Sequence, residues 1–249
     1  KGMVQDRLVN GLPARVDSLD FPWSICTAGR EIEKWFVPVE VAKDALGNSY
    51  TNGVCRDIDL TLDEEGFWLA DITGGETKMF FSKQDSSVIE DTTGIPSSMY
   101  FSKDTITGFF PVDDFEYLDS AKTIVNPKFD KKRNPSEYNK QMHNYSFAMK
   151  VSAQFKYIPG QYFEFRGDDD VWVFIDNRLV VDIGGCHNPE EGAVDLDTMG
   201  LEEGKEYSFH IFFSERNATG SNFKMRTSIN LRTEKTFFPV EIPYTDTTI

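Results

Sequence analysis

The sequence predicts an all-β chain folded as an antiparallel β-sandwich, and three observations predict it. Apolar residues recur with period two in several segments, and no stretch beyond about ten residues carries a 3.6-residue period. Turn clusters such as Asp91-Thr92-Thr93-Gly94 and Ala218-Thr219-Gly220-Ser221 separate the short apolar runs. Half-buried strands joined by such turns are the material of a sandwich.

Before residue 105 the pattern is the least regular. Ile58, Leu60 and Leu62 alternate, and Phe67 to Ile72 and Lys78 to Ser82 read as strands. These residues are expected to add N-terminal strands and loops to one domain spanning residues 1–249, not to fold apart from it. "FFPV" occurs at Phe109 to Val112 and again at Phe237 to Val240. Two tetrapeptides fall short of a repeat, so both are read as strand ends with proline at an edge. Lys131-Lys132-Arg133-Asn134-Pro135 reads as an exposed loop.

The second half is more regular. Val171 to Ile175 is apolar on both faces, Asp176-Asn177 is a pair able to take the φ > 0 of a tight hairpin, and Leu179 to Ile183 continues apolar as the partner strand. Tyr207, Phe209, Ile211 and Phe213 share one face of a strand. Phe223, Met225, Thr227, Ile229 and Leu231 share another, alternating with Lys224, Arg226, Ser228 and Asn230.

Composition narrows the function. The 249 residues carry 41 acidic and 26 basic side chains, a formal charge of -15 that repels nucleic acid and anionic membrane and suits cation binding. No run approaches the roughly 18 to 20 apolar residues of a membrane span. Lys1-Gly2-Met3-Val4 does not begin a secretory signal, so the chain reads as a mature protein or an excised domain. The three cysteines, Cys26, Cys55 and Cys186, are too few for a disulfide scaffold and lack zinc-site spacing, which leaves a Cys26–Cys55 bridge open. No nucleophile elbow, HExxH or phosphate-binding loop is present, so the chain is expected not to be an enzyme.

One stretch demands a physical explanation. In "FRGDDDVWVFIDNRLVVDIGG", Phe165 to Gly185, Asp168, Asp169 and Asp170 stand side by side in front of the doubly apolar strand. Like charges that close repel by roughly a kcal/mol or more per pair even near the surface. Either a cation offsets the repulsion, or the three form a solvated acidic turn whose carboxylates cap nearby backbone N–H groups.

The ordered strings "TGFFPVDD" from Thr107, "HNYSFAMKVSAQFKYIPGQYFEFRGDDDVWVFIDNRLVVDIGGCH" from His143 to His187, "GLEEGKEYSFHIFFSERN" from Gly200 and "TGSNFKMRTSI" from Thr219 resemble the fibro-slime family. That family is similar to the protective-antigen-type β-sandwich, a lectin-like fold shared with yeast flocculins and bacterial adhesin lectins. The resemblance covers about residues 105–232, with Trp35-Phe36 a loose match before it. In lectins of this fold two adjacent aspartates on one loop, joined by a cis peptide, bind Ca²⁺ together with an asparagine from a second loop.

By that resemblance Asp168 and Asp169 are the metal pair and Asn217 the second-loop ligand. Thr219, Ser221 and Asn222 complete the sugar-facing loop, and Asp170 contributes field more than coordination. Ca²⁺ takes six to eight hard oxygens, and sugar hydroxyls can replace its waters. The implied function is a non-catalytic, calcium-dependent carbohydrate-binding module of a secreted or cell-surface adhesin, attaching cells to plant-wall polysaccharide such as cellulose. The alternative is a secreted protein-interaction or developmental signalling module with the same fold.

Other candidates take structural readings. His187 is a hydrogen-bonded turn residue and Cys186 a buried thiol. Trp172 belongs to the core, while Trp23, Trp35 and Trp68 are candidates for stacking on a sugar. Glu215 and Arg216 are expected to pair and order the second loop. The sequons at Asn144 and Asn217 matter only where the source glycosylates secreted proteins.

Overall fold

Two five-stranded antiparallel sheets carry the chain, as the period-two pattern requires. The computed structural model describes residues 1–16, 32–38, 40–43, 49–51, 53–54, 57–73, 108–112, 117–118, 124–125, 147–185, 187, 189–216 and 221–233. In chain order these contain helix α1 (Ile32–Trp35) and strands β1 (Glu40–Lys43), β2 (Ser49–Thr51), β3 (Thr61–Leu62), β4 (Trp68–Ile72), β5 (Tyr117–Leu118) and β6 (Ile124–Val125). Then follow β7 (Phe147–Lys156), β8 (Tyr162–Gly167), β9 (Asp170–Ile175), β10 (Arg178–Ile183), β11 (Glu190–Asp195), a 3₁₀ turn (Leu196–Met199), β12 (Glu206–Glu215), β13 (Phe223–Thr227) and β14 (Arg232–Thr233).

One sheet has the order β10-β9-β12-β7-β14 and the other β11-β8-β13-β4-β3. Between them lies the main core, in which Phe155, Phe163, Phe165, Val171, Val173, Phe209, Ile211, Phe213, Phe223 and Met225 are buried. These are the inward positions that the alternation picks out. Burying a side chain of this size contributes roughly 1.5–3 kcal/mol.

β9 is buried along its whole length. Its second face, Trp172 and Phe174, joins Phe212 of β12 in a separate cluster completed by Met3, Val4, Leu8, Ile32 and Phe36. The N-terminal residues therefore cover the outside of this sheet. They are fastened to its edge by the Asp6 carbonyl, which accepts from Leu179 N at 2.9 Å, and by Leu8 N, which donates to Asn177 Oδ1 at 3.2 Å. Asp176 and Asn177 have φ of 51° and 61°, the left-handed pair of a two-residue hairpin joining β9 to β10.

Three strand expectations change. β13 ends at Thr227, whose hydroxyl donates to the Tyr162 carbonyl and accepts from Ile229 N, so Ile229 and Leu231 pack on the core from irregular backbone. Phe109 is no strand end: it is buried against Phe147, Phe213 and Phe223, its N–H donates to the Ser221 carbonyl, and a turn follows at Pro111-Val112. The alternation at Ile58 to Leu62 yields strand only at β3, while Ile58 and Leu60 lean on the core as coil. The expected strand at Lys78 to Ser82, the loop at 131–135, the second "FFPV" and all three cysteines lie outside the described residues. Among the described residues no helix is long and apolar enough to cross a membrane.

Candidate functional site at the sheet corners

The two aspartates that open the question form a corner. β8 belongs to one sheet and β9 to the other, so the chain crosses between sheets in the two residues Asp168 and Asp169. Two further crossings, β10 to β11 and β12 to β13, lie at the same end of the sandwich, because Gly167 pairs with Phe223 and Glu190 while Asp170 pairs with Ser214. The corner is tight. A Cβ on Gly167 would stand 2.7 Å from the Asn222 carbonyl oxygen and 2.6 Å from the Phe165 ring, closer than a side chain can approach.

The three carboxylates staple these crossings together. Asp168 accepts from Asn222 N and from Asn222 Nδ2, both at 2.6 Å. Asp169 accepts from Arg216 N at 2.8 Å, and a hydrogen bond joins its carboxyl group to that of Glu215. Asp170 accepts from Gly185 N at 2.7 Å and forms an ion pair with the Arg216 guanidinium. Capping of backbone N–H groups is thus what these side chains do, but inside the protein and not on a solvated turn. Arg216, expected to order the second loop by an ion pair, makes one with Asp170.

No cis peptide occurs among the described residues, so the departure from extended geometry that the resemblance placed in a cis Asp-Asp bond is made another way. Asp169 has φ 54°, a left-handed conformation that aspartate tolerates better than most residues. This turns its side chain out of the alternation that would otherwise send neighbouring residues to opposite faces.

Electrostatically the corner is loaded. Asp168, Asp169, Asp170 and Glu215 are 8%, 2%, 0% and 1% exposed, and against them the structure places Arg216. Burial pushes the Asp168 carboxyl above the usual carboxylate range, opposed by the two hydrogen bonds from Asn222. Burial also pushes Asp169 up, with the adjacent Asp170 charge adding to it and the Glu215 and Arg216 N–H hydrogen bonds opposing.

Whether a hard cation fits is decided by the donors. The Ser221 hydroxyl is buried and has no hydrogen-bond partner among the described residues, an oxygen ligand without an assignment. With the Asp168 and Asp169 oxygens and the surplus of negative charge, the set has the chemistry Ca²⁺ prefers. Among the described residues no three His, Cys, Asp or Glu side chains form a metal cage by themselves, so hydroxyl or amide oxygens would have to complete the shell.

Of the expected site residues, the structure brings Asp168, Asp169, Ser221 and Asn222 to one corner. Asn217 and Thr219 lie outside the described residues. Trp172 is in the core, and Trp68, 38% exposed, pairs with Thr227 at the far end of the sandwich. His187 contacts the Ile183 carbonyl at 3.0 Å, as a turn residue would. Sequence reasoning missed the role of Trp35, whose ring lies 5.0 Å from the Arg216 guanidinium carbon. A pocket of about 440 Å³ lies elsewhere, floored by Ile58, Ala70, Ile72 and Phe109 with Asp57, Asp59 and Asp71 at its rim. Asp71 is already paired with Lys224 at 2.7 Å and accepts from the Thr73 hydroxyl at 2.8 Å, whereas the corner carboxylates are buried together, so the corner is the better candidate.

The comparisons with known proteins agree with this architecture. The family model described as PA14 domain matches residues 91–240. The chain is 40% identical over 161 residues to Protein psiE of Dictyostelium discoideum, covering 60% of this chain and 30% of that protein. It is 44% identical over 126 residues to Protein psiJ of the same organism, covering 49% and 17%. Over 93 residues it is 47% identical to Protein psiN, covering 36% and 12%. The chain therefore spans 30% or less of the length of these curated relatives. No solved structure matches it.

Proposed function

Because the chain belongs to the PA14 domain family, whose members are often carbohydrate-binding modules of adhesins, we propose that it is a non-catalytic carbohydrate-binding module assisted by Ca²⁺. The observation that carries this reading is the buried corner. Asp168 and Asp169 sit where the sheets cross, with more negative charge than Arg216 offsets and with the Ser221 hydroxyl unassigned beside them. Asp168, Asp169 and Asn217 would hold the ion, with the buried Ser221 hydroxyl as a further oxygen, and Thr219 and Asn222 would meet the sugar. The ion's chemistry is to present open coordination positions to vicinal hydroxyls. The protein's part is to hold the oxygens at a fixed spacing, which the Asn222 and Arg216 hydrogen bonds do.

The resemblance to fibro-slime sequences supports a finer version, in which the module is part of a larger secreted or cell-surface protein attaching cells to polysaccharide such as cellulose. The test is binding to a glycan array and to insoluble cellulose, with millimolar Ca²⁺ and with EDTA. Binding that EDTA removes is expected. Saturable binding to a purified protein with no glycan binding would overturn the reading and move the module to protein interaction or signalling. At a hundred times Kd, Ca²⁺ should add about 2.7 kcal/mol of stability if the unfolded chain does not bind it. A calorimetric titration with no uptake would remove the ion.

A further inference from the structure

We infer that Trp35 is a positioning residue for this site: its ring holds the Arg216 guanidinium, and Arg216 in turn holds the corner carboxylates. The inference rests on the corner being the binding site. Its physical basis is a continuous set of contacts. Ile32 and Phe36 anchor the short helix α1 in the cluster on the outside of the β9 sheet. Trp35 lies between, its ring 6.5 Å from both Trp172 and Phe36.

From there it reaches Arg216, whose side chain is 15% exposed and whose guanidinium carbon is 5.0 Å from the ring. The same guanidinium pairs with Asp170, and the Arg216 N–H donates to Asp169. A cation over an indole face is attracted by the ring quadrupole, more strongly where water is excluded. Arg216 is thus held from two sides, by a carboxylate and by a π face, directly after the end of β12. Trp35 precedes the matched residues 91–240, so the site draws on a segment outside the family match.

The test compares the full chain with Trp35→Phe, Trp35→Leu and Arg216→Gln. Leucine keeps an apolar contact with Phe36 and Trp172 but removes the π face, and phenylalanine keeps both. Amide hydrogen exchange reads the Arg216 and Asn222 N–H groups, whose acceptors are Asp169 and Asp168. Trp35→Leu and Arg216→Gln should lose about tenfold protection at these two amides, with β12 amides unchanged, and Trp35→Phe should retain it. Protection at wild-type level in Trp35→Leu, or equal loss in the Phe and Leu variants, overturns the inference.

Calcium titration forms a second arm, in which Trp35→Leu should bind about tenfold more weakly and Trp35→Phe near wild type. A wild type that takes up no Ca²⁺ overturns the cation reading, while the exchange arm still decides the role of Trp35.

Discussion

At Asp169 a left-handed backbone, burial and a hydrogen bond to a second carboxyl group coincide. Asparagine fits all three, since it tolerates φ > 0, can accept from Arg216 N and can donate to Glu215. Asp169→Asn should therefore match or exceed wild-type stability at pH 7 without metal. Asp168→Asn should cost about 1–3 kcal/mol, because both Asp168 oxygens accept from Asn222 and an amide can offer only one. The sign of the pH dependence follows from the raised Asp169 carboxyl. A carboxyl whose folded value exceeds its unfolded one weakens the fold once both states are ionised, and that penalty disappears as pH falls through the raised value toward about 3.9. The advantage of the Asp169→Asn variant should be full at pH 7 and fade on acidification, as urea unfolding at both pH values would show, and a pH-independent difference would contradict it. The three aspartates were legible as an anomaly of charge. Their burial was not, because it arises from two sheets crossing at that point.

Among the elements, the β9–β10 hairpin was readable from two residues, Asp176-Asn177, since few pairs accept two consecutive positive φ angles. What the dipeptide does not reveal is that Asn177 also accepts from Leu8 N, 169 positions away. Asn177→Gly should keep the turn yet lose about 0.5–1.5 kcal/mol with that hydrogen bond, whereas Asn177→Val should lose more by adding a β-branched residue at φ > 0. Thermal melts of the two variants check the order, and equal losses would refute the strain argument. The end of β13 was illegible for a related reason. Ile229 and Leu231 continue the apolar period, and only the tertiary contact of Thr227 with Tyr162 shows that the strand has stopped.

At the scale of the molecule, the sandwich followed from alternation, and the doubly apolar β9 already implied that something covers the second face of its sheet. Which residues do so was hidden, because Met3, Val4, Leu8, Ile32 and Phe36 carry no periodic signal. A chain begun near Thr105 would leave Trp172, Phe174 and Phe212 uncovered, and is expected to melt lower and to bind a hydrophobic dye. Unchanged melting and no dye binding would show the N-terminal segment to be dispensable. The double burial of β9 has a mechanical side as well. Asp170 at the corner is its first residue, and β10 and β12 flank it along its length. Antiparallel hydrogen bonds run perpendicular to the strands. A pull applied at the corner is therefore carried along β9 as shear, shared by two ladders at once, and the bonds do not open singly from one end.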